Sequence, residues 1–167
     1  MTRIRSFAPI ADRRARVLIL GSMPGAESLA QGRYYAHPRN SFWPIMAALF
    51  DLDPAASYEA RVRGLRARRV AVWDVLRSCV REGSLDAGID EEVANDFAAF
   101  FAVHRAITHV FFNGAKAEAC YRRHVLPDIA QALRYARLPS TSPAHAALSM
   151  ARKRAAWRAI LKAMAPA

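Results

Sequence analysis

Four short apolar runs, each closed by a polar or glycine-containing turn, restrict the fold of this chain more than any other feature. Val17–Leu20 is continuously apolar and ends in Gly21-Ser22-Met23-Pro24-Gly25, the pattern of a buried strand entering a tight loop. Arg69–Leu76 is β-branched and apolar, Thr108–Phe112 is closed by Asn113-Gly114, and Leu133–Leu138 is a fainter fourth run. Between these runs the periodicity changes. Ser41–Phe50 reads as a helix with Pro44 in its first turn, where a missing N–H is tolerated. Glu91–Arg105 sets Val93, Phe97, Phe100, Phe101 and His104 at helical spacing, and Ala115–His124 reads as a further helix. Ser142-Pro143 predicts the cap and first residue of a last helix that runs to about Met164. Strands alternating with helices define an α/β fold, here a three-layer α/β/α sandwich with a central, mainly parallel four-stranded sheet. Ligands in such sheets gather at the carboxyl ends of the strands. The loops after Leu20, Leu76, Phe112 and Leu138 are therefore where chemistry is expected.

At 167 residues the chain has enough material for one core, and residues 1–167 are expected to form one domain. No apolar run approaches the ~20 residues of a membrane helix, and the basic N-terminal segment has no apolar core behind it, so a cytoplasmic protein is expected. Cys79 and Cys120 are the only cysteines, and the five histidines lack zinc-site spacing, so neither a metal nor another cofactor is expected. The formal charge of +11 points to a polyanion, most simply nucleic acid. Its arginine-rich, alanine-rich origin weakens that inference, since base composition of the coding sequence gives the same bias. Arg61, Arg63, Arg66, Arg68 and Arg69 form the largest basic cluster, which reads first as a solvated helix face.

Each strand-end segment has a plain structural reading beside a functional one. Gly21 to Gly25 is either a simple turn or a place where backbone approaches a ligand closely. In Tyr34-Tyr35-Ala36-His37-Pro38-Arg39-Asn40-Ser41-Phe42-Trp43, Asn40 or Ser41 can cap a helix while Phe42 and Trp43 enter the core. Adjacent tyrosines before a rigid loop also suit stacking on an extruded base. Asn113 before Gly114 is a common turn former. Its carboxamide also offers an acceptor and donors matched to the O=C–N–H edge of uracil or hypoxanthine, an edge that adenine and cytosine lack. Ser140-Thr141-Ser142 and His145 offer hydroxyls and N–H groups for a phosphate, or merely cap a helix.

Taken in order, Gly-Ser-Met-Pro-Gly, His-Pro-Arg-Asn-Ser-Phe-Trp, Phe-Phe-Asn-Gly and Leu-Pro-Ser-Thr-Ser-Pro-Ala-His fall one per expected strand end. The set resembles the motifs of the uracil-DNA glycosylase superfamily, closest to its hypoxanthine (deoxyinosine) DNA glycosylase branch. The His-Pro-x-Asn-x-Phe-Trp segment is shared with the mismatch-specific uracil glycosylases. The resemblance runs from about Arg16 to Trp157. It implies that Asn40 is catalytic and orients the water that attacks C1′. It further implies that Asn113 reads the base, that Tyr35 stacks on it, and that Gly21, Ser22, Met23, Pro24 and Phe42 help form the base pocket. Ser140, Thr141, Ser142 and His145 would contact the DNA backbone. Two positions depart from the pattern: Met23 stands where the most active uracil enzymes carry an aspartate, and Leu138 where they carry a histidine that stabilises the departing base. Both argue against a fast uracil specialist.

The implied reaction is hydrolysis of the N-glycosidic bond of a deaminated base in DNA, hypoxanthine first and uracil second, by a monomer without a cofactor. A mismatch-type uracil glycosylase and a DNA-binding module that has lost catalysis are the alternatives, with a hydrolase of free inosine third. Trp73, Asp74 and the segment Arg81–Asp86 follow the second strand and are expected to shape the pocket, with no chemistry assigned to them from sequence alone.

Overall fold

A computed structural model describes residues 2–166. The apolar runs become the strands β2 (Val17–Gly21), β3 (Val70–Asp74), β6 (His109–Asn113) and β7 (Arg134–Leu138). They form one sheet in the order β3-β2-β6-β7, with every pair parallel. All five residues of β2 and of β3 are buried, as expected for parallel strands covered on both faces.

Period-2 alternation sorts the side chains onto two cores. Leu18, Leu20, Val110 and Phe112 pack with Phe97, Phe100 and Phe101 of α4 (Phe97–Val103) and with Tyr121 of α5 (Ala115–His124). On the other face, Val17, Ile19, Val72 and Phe111 meet α2 (Phe42–Phe50), α3 (Tyr58–Ala67), α6 (Met150–Trp157) and α7 (Ala159–Met164). Phe42 and Trp157 are fully buried there. The three-layer sandwich and the parallel four-stranded sheet expected from the sequence are both present.

A second, antiparallel sheet was not expected. β1 (Arg3–Arg5), β4 (Leu76–Val80) and β5 (Asp90–Ala94) pair in the order β1-β4-β5. The helix expected over Glu91–Arg105 is accordingly shortened to α4. The chain first runs as β5, turns at Asn95, and starts the helix where the Asp96 side chain accepts the Ala99 N–H. Glu92 fixes β5 against α5, bonding His124 at 2.8 Å and Lys116. The shared helical spacing of Val93 and Phe97 came from two different elements.

The last helix also begins later than Ser142-Pro143 predicts. Ser142 and Pro143 sit in a turn in which the His145 N–H reaches the Ser142 carbonyl at 3.0 Å. The helix starts at Met150 under a Ser149 cap, whose hydroxyl accepts the Arg152 N–H. It is also two helices, α6 and α7, separated at Arg158. Of the basic cluster, Arg63, Arg68 and Arg69 are exposed, in keeping with a solvated helix face. Arg61 lies over the Trp43 ring, 4.9 Å from its centre.

Candidate active site

The carboxyl ends of β2, β3 and β6 open onto a cavity of about 440 Å³, a size suited to a small-molecule group. Because β2 is central, Gly21 lies between its neighbours: it pairs with Asp74 on one side and follows the Leu20–Phe112 pair on the other. Asp74 and Asn113 are therefore set about two strand spacings apart, roughly 10 Å, across the cavity mouth. Gly21 has to be glycine. A Cβ there would meet Asp74 Oδ1 at 2.6 Å and the Tyr35 hydroxyl at 3.0 Å.

The loop after β2, which leads into α1 (Ala26–Gln31), is stitched to the segment after β4. Ser22 Oγ donates to Asp86 Oδ1 at 2.6 Å, and the Ala26 N–H donates to Ser84 Oγ at 2.7 Å. Arg81, buried, donates through Nη2 to the Pro24 carbonyl at 2.6 Å and through Nε to the Gly83 carbonyl at 2.9 Å. These contacts give Gly21 to Pro24 a fixed course around the cavity, and all four residues line it. Met23 itself is mostly buried.

Tyr35 and Asn40 come from the loop ahead of α2. Tyr35 holds a left-handed backbone, with φ of 53°, a strained setting for a residue with a side chain. Its ring stacks on Phe42 at 4.1 Å, and its hydroxyl is buried without a hydrogen-bond partner among the described residues. Burial and the nearby Asp74 hold that phenol above its ordinary range, against the opposing influence of the Asn113 side chain close by. Phe42 does not reach the cavity: it is the floor under Tyr35. Trp43 is core as well, and its indole N–H bonds the Tyr34 carbonyl at 2.8 Å. Asn40, half-buried, accepts the Phe42 N–H on Oδ1 at 2.9 Å, which leaves that oxygen a second lone pair.

Asn113 is bound at both ends by Thr141. Its Nδ2 donates to Thr141 Oγ1 at 2.9 Å, and its Oδ1 accepts the Thr141 N–H at 2.9 Å. One N–H and one lone pair of the carboxamide remain for a ligand, in a fixed order. Thr141 is buried, and its carbonyl accepts the Ser41 N–H at 3.0 Å, which ties the motif after β7 to the cap of α2. Ser140, Ser142 and His145 line the cavity with Thr141. Gly114 has φ of 95°, and a Cβ there would come within 3.1 Å of Ser140. Lys153, buried in α6, anchors the His145 carbonyl at 2.6 Å.

The sequence-predicted residues thus meet at one cavity, with Phe42 behind it. Sequence reasoning set Asp74 and the segment from Arg81 beside the pocket but missed what either does there. Asp74 lies at the end of β3 with a carboxyl that is almost wholly buried, and its Oδ2 has no hydrogen-bond partner among the described residues. Burial pushes it up to about 7; Asp86 adds to the effect and Arg81 opposes it. The available signal was an aspartate inside an apolar run, at a strand end.

The model of the uracil DNA glycosylase superfamily matches residues 8–164 of the chain. A hypoxanthine DNA glycosylase of Methanosarcina barkeri is 33% identical over 114 residues, covering 68% of this chain and 72% of the relative. Its counterpart in Methanosarcina acetivorans is 35% identical over 114 residues with the same coverage. A solution NMR structure from Methanosarcina acetivorans, of a protein provisionally named a uracil DNA glycosylase, superposes with a TM-score of 0.82. It is 29% identical and covers 98% of this chain and 99% of its own. The chain belongs to the uracil DNA glycosylase superfamily. It is a DNA glycosylase, a hydrolase of N-glycosidic bonds.

Proposed function

We propose that the chain excises hypoxanthine from DNA, hydrolysing the bond between N9 of the base and C1′ of the sugar to leave an abasic site. The observation that carries this reading is the doubly clamped Asn113 carboxamide. Its remaining donor and acceptor fit the carbonyl and adjacent N–H of a deaminated base and clash in sign with adenine. Hypoxanthine is preferred over uracil because Met23 and Leu138 supply neither the carboxylate nor the imidazole of a uracil specialist.

The base has to leave the helix to reach the cavity, at a cost of a few kcal/mol that falls at mismatches. Arginines and the loop Ser140–His145 offset that cost through phosphate contacts, with the salt dependence such contacts bring. The phosphate seat is the turn itself, since the helix begins only at Met150. Inside, one face of Tyr35 is backed by Phe42, which stiffens the ring as a stacking surface. As the glycosidic bond stretches, positive charge grows on C1′ and O4′ and negative charge on the base. Asn40 has no useful basicity; it positions a water through Oδ1, and the sugar cation makes that water reactive. Asn113 stabilises the developing charge on O6 with a preset donor. We take the working unit as a monomer, acting on DNA in the cytoplasm.

The test is cleavage, after alkali, of oligonucleotides with one inosine or one uracil. Breaks at inosine that disappear in Asn40→Ala and Asn113→Ala are expected. Breaks chiefly at uracil would move the substrate, and no breaks would leave a DNA-binding module.

A further inference from the structure

Of the carboxyls that line the cavity, Glu27, Asp74 and Asp86, none is used by the reaction above, and only Asp74 is buried. Its position is determined by the fold: β3 ends at Asp74 beside Gly21, and the missing Cβ of Gly21 makes the room into which both the carboxyl and the Tyr35 hydroxyl project. Both groups are buried and both keep a polar atom without a partner among the described residues. Such pairs are costly unless a ligand completes them. Leu138, at the end of β7, brings no polar side chain to this end of the sheet, so it offers no help to a leaving base.

We propose that Asp74 is the general acid of the reaction, donating its proton to a ring nitrogen of the departing purine, N7 or N3, on the side that Asn113 does not read. This rests on the hypoxanthine reading above. The carboxylic acid O–H bond breaks and an N–H bond forms on the base, while the C1′–N9 electron pair stays with the base, which leaves neutral. Water then adds to C1′, and its proton returns to the Asp74 carboxylate directly or through solvent. Uracil has neither N7 nor N3 of a purine, so this acid serves purines.

The surroundings keep that proton in place near neutrality. Burial first, and then Asp86 of the stitched segment, together raise the carboxyl to about 7 against the opposing pull of Arg81. Tyr35 and Tyr34, whose own phenols are held up in part by Asp74, are the other titratable groups facing it. Arg81 Nη1 is buried without a partner among the described residues, and its other nitrogens are committed to Pro24 and Gly83.

The test is single-turnover base release from duplexes carrying 2′-deoxyinosine, 7-deaza-2′-deoxyinosine or 3-deaza-2′-deoxyinosine, from pH 5.5 to 9. Wild type should lose rate on inosine about tenfold per unit above a midpoint near 7. One deaza substrate should be slower by about 100-fold or more, the range for a lost general acid. Asp74→Asn should show the same loss on inosine, a flat pH profile, and no additional loss on that deaza substrate. Rates within threefold for all three substrates, or an Asp74→Asn enzyme as fast as wild type on inosine, would overturn the acid and leave the hypoxanthine reading standing. A wild type that releases nothing from inosine DNA overturns that reading and this one together. The wild-type arms decide the matter even if Asp74→Asn fails to fold.

Discussion

Thr141 holds the Asn113 carboxamide by both of its ends, the hydroxyl taking one N–H and the backbone N–H meeting the oxygen, each at 2.9 Å. The clamp sets which end of the amide points where, and joins the motif after β6 to the motif after β7. Thr141→Val keeps the backbone half and the shape but removes the hydroxyl. The free Nδ2 then loses a buried partner, worth about 1–2 kcal/mol. Excision of hypoxanthine is expected to slow by roughly tenfold, and thermal unfolding together with single-turnover rates checks both effects. Unchanged rates would mean that the carboxamide is oriented by something other than Thr141.

Gly21→Ala places a methyl 2.6 Å from Asp74 Oδ1 and 3.0 Å from the Tyr35 hydroxyl. Neither neighbour is a freely swinging side chain end, because both are buried. Overpacking of this kind costs about 1–3 kcal/mol. The expected outcome is a folded enzyme with a lower melting temperature and at least a 100-fold slower reaction. Calorimetry and base release read the two parts separately.

Asp74 also makes a prediction about stability. Its folded-state value, about 7, stands above the ordinary 3.8, so the folded protein binds the proton more tightly than the unfolded chain. Stability is therefore lost as pH rises from about 4 to about 7, and the full penalty applies above that window. The difference between 3.8 and about 7 corresponds to on the order of 4 kcal/mol. Asp74→Asn removes this titration, so its gain in melting temperature over wild type should be largest above pH 7 and vanish near pH 4. A gain that does not vary with pH would contradict the buried, proton-binding carboxyl.

Arg81 joins two loops that sequence leaves unrelated. Arg81→Ala withdraws the donors from the Pro24 and Gly83 carbonyls, bonds to a charged group worth about 1.5–3 kcal/mol each at most. The loop after β2 is expected to loosen while the sheet stays intact. Hydrogen exchange should rise over residues 22–26 and 81–88 and remain unchanged in β2 and β6.

The legible parts of this molecule are those whose signals are local. Buried parallel strands read as unbroken apolar runs, so Val17–Leu20 and Thr108–Phe112 and the motifs at their ends were visible, and Ala115–His124 was placed to the residue. What stayed hidden depends on partners distant in sequence. Arg3–Arg5 and Asp90–Ala94 are too polar to look like strands; they become strands by pairing with Leu76–Val80. Ser142-Pro143 carries a good cap signature, yet its turn serves the cavity and Ser149 caps the helix instead. Asp74 and Arg81 gain meaning only once β3 lies beside β2 and the segment after β4 folds back onto Pro24.

The most direct measurement is mass-spectrometric detection of the free base released from a duplex with a single deoxyinosine, under single-turnover conditions, counted against abasic sites formed. Hypoxanthine and abasic sites should appear in equal amounts with wild type and fall by at least 100-fold with Asn40→Ala or Asn113→Ala. Intact DNA and no free hypoxanthine, from a protein that still binds the duplex, would contradict the account.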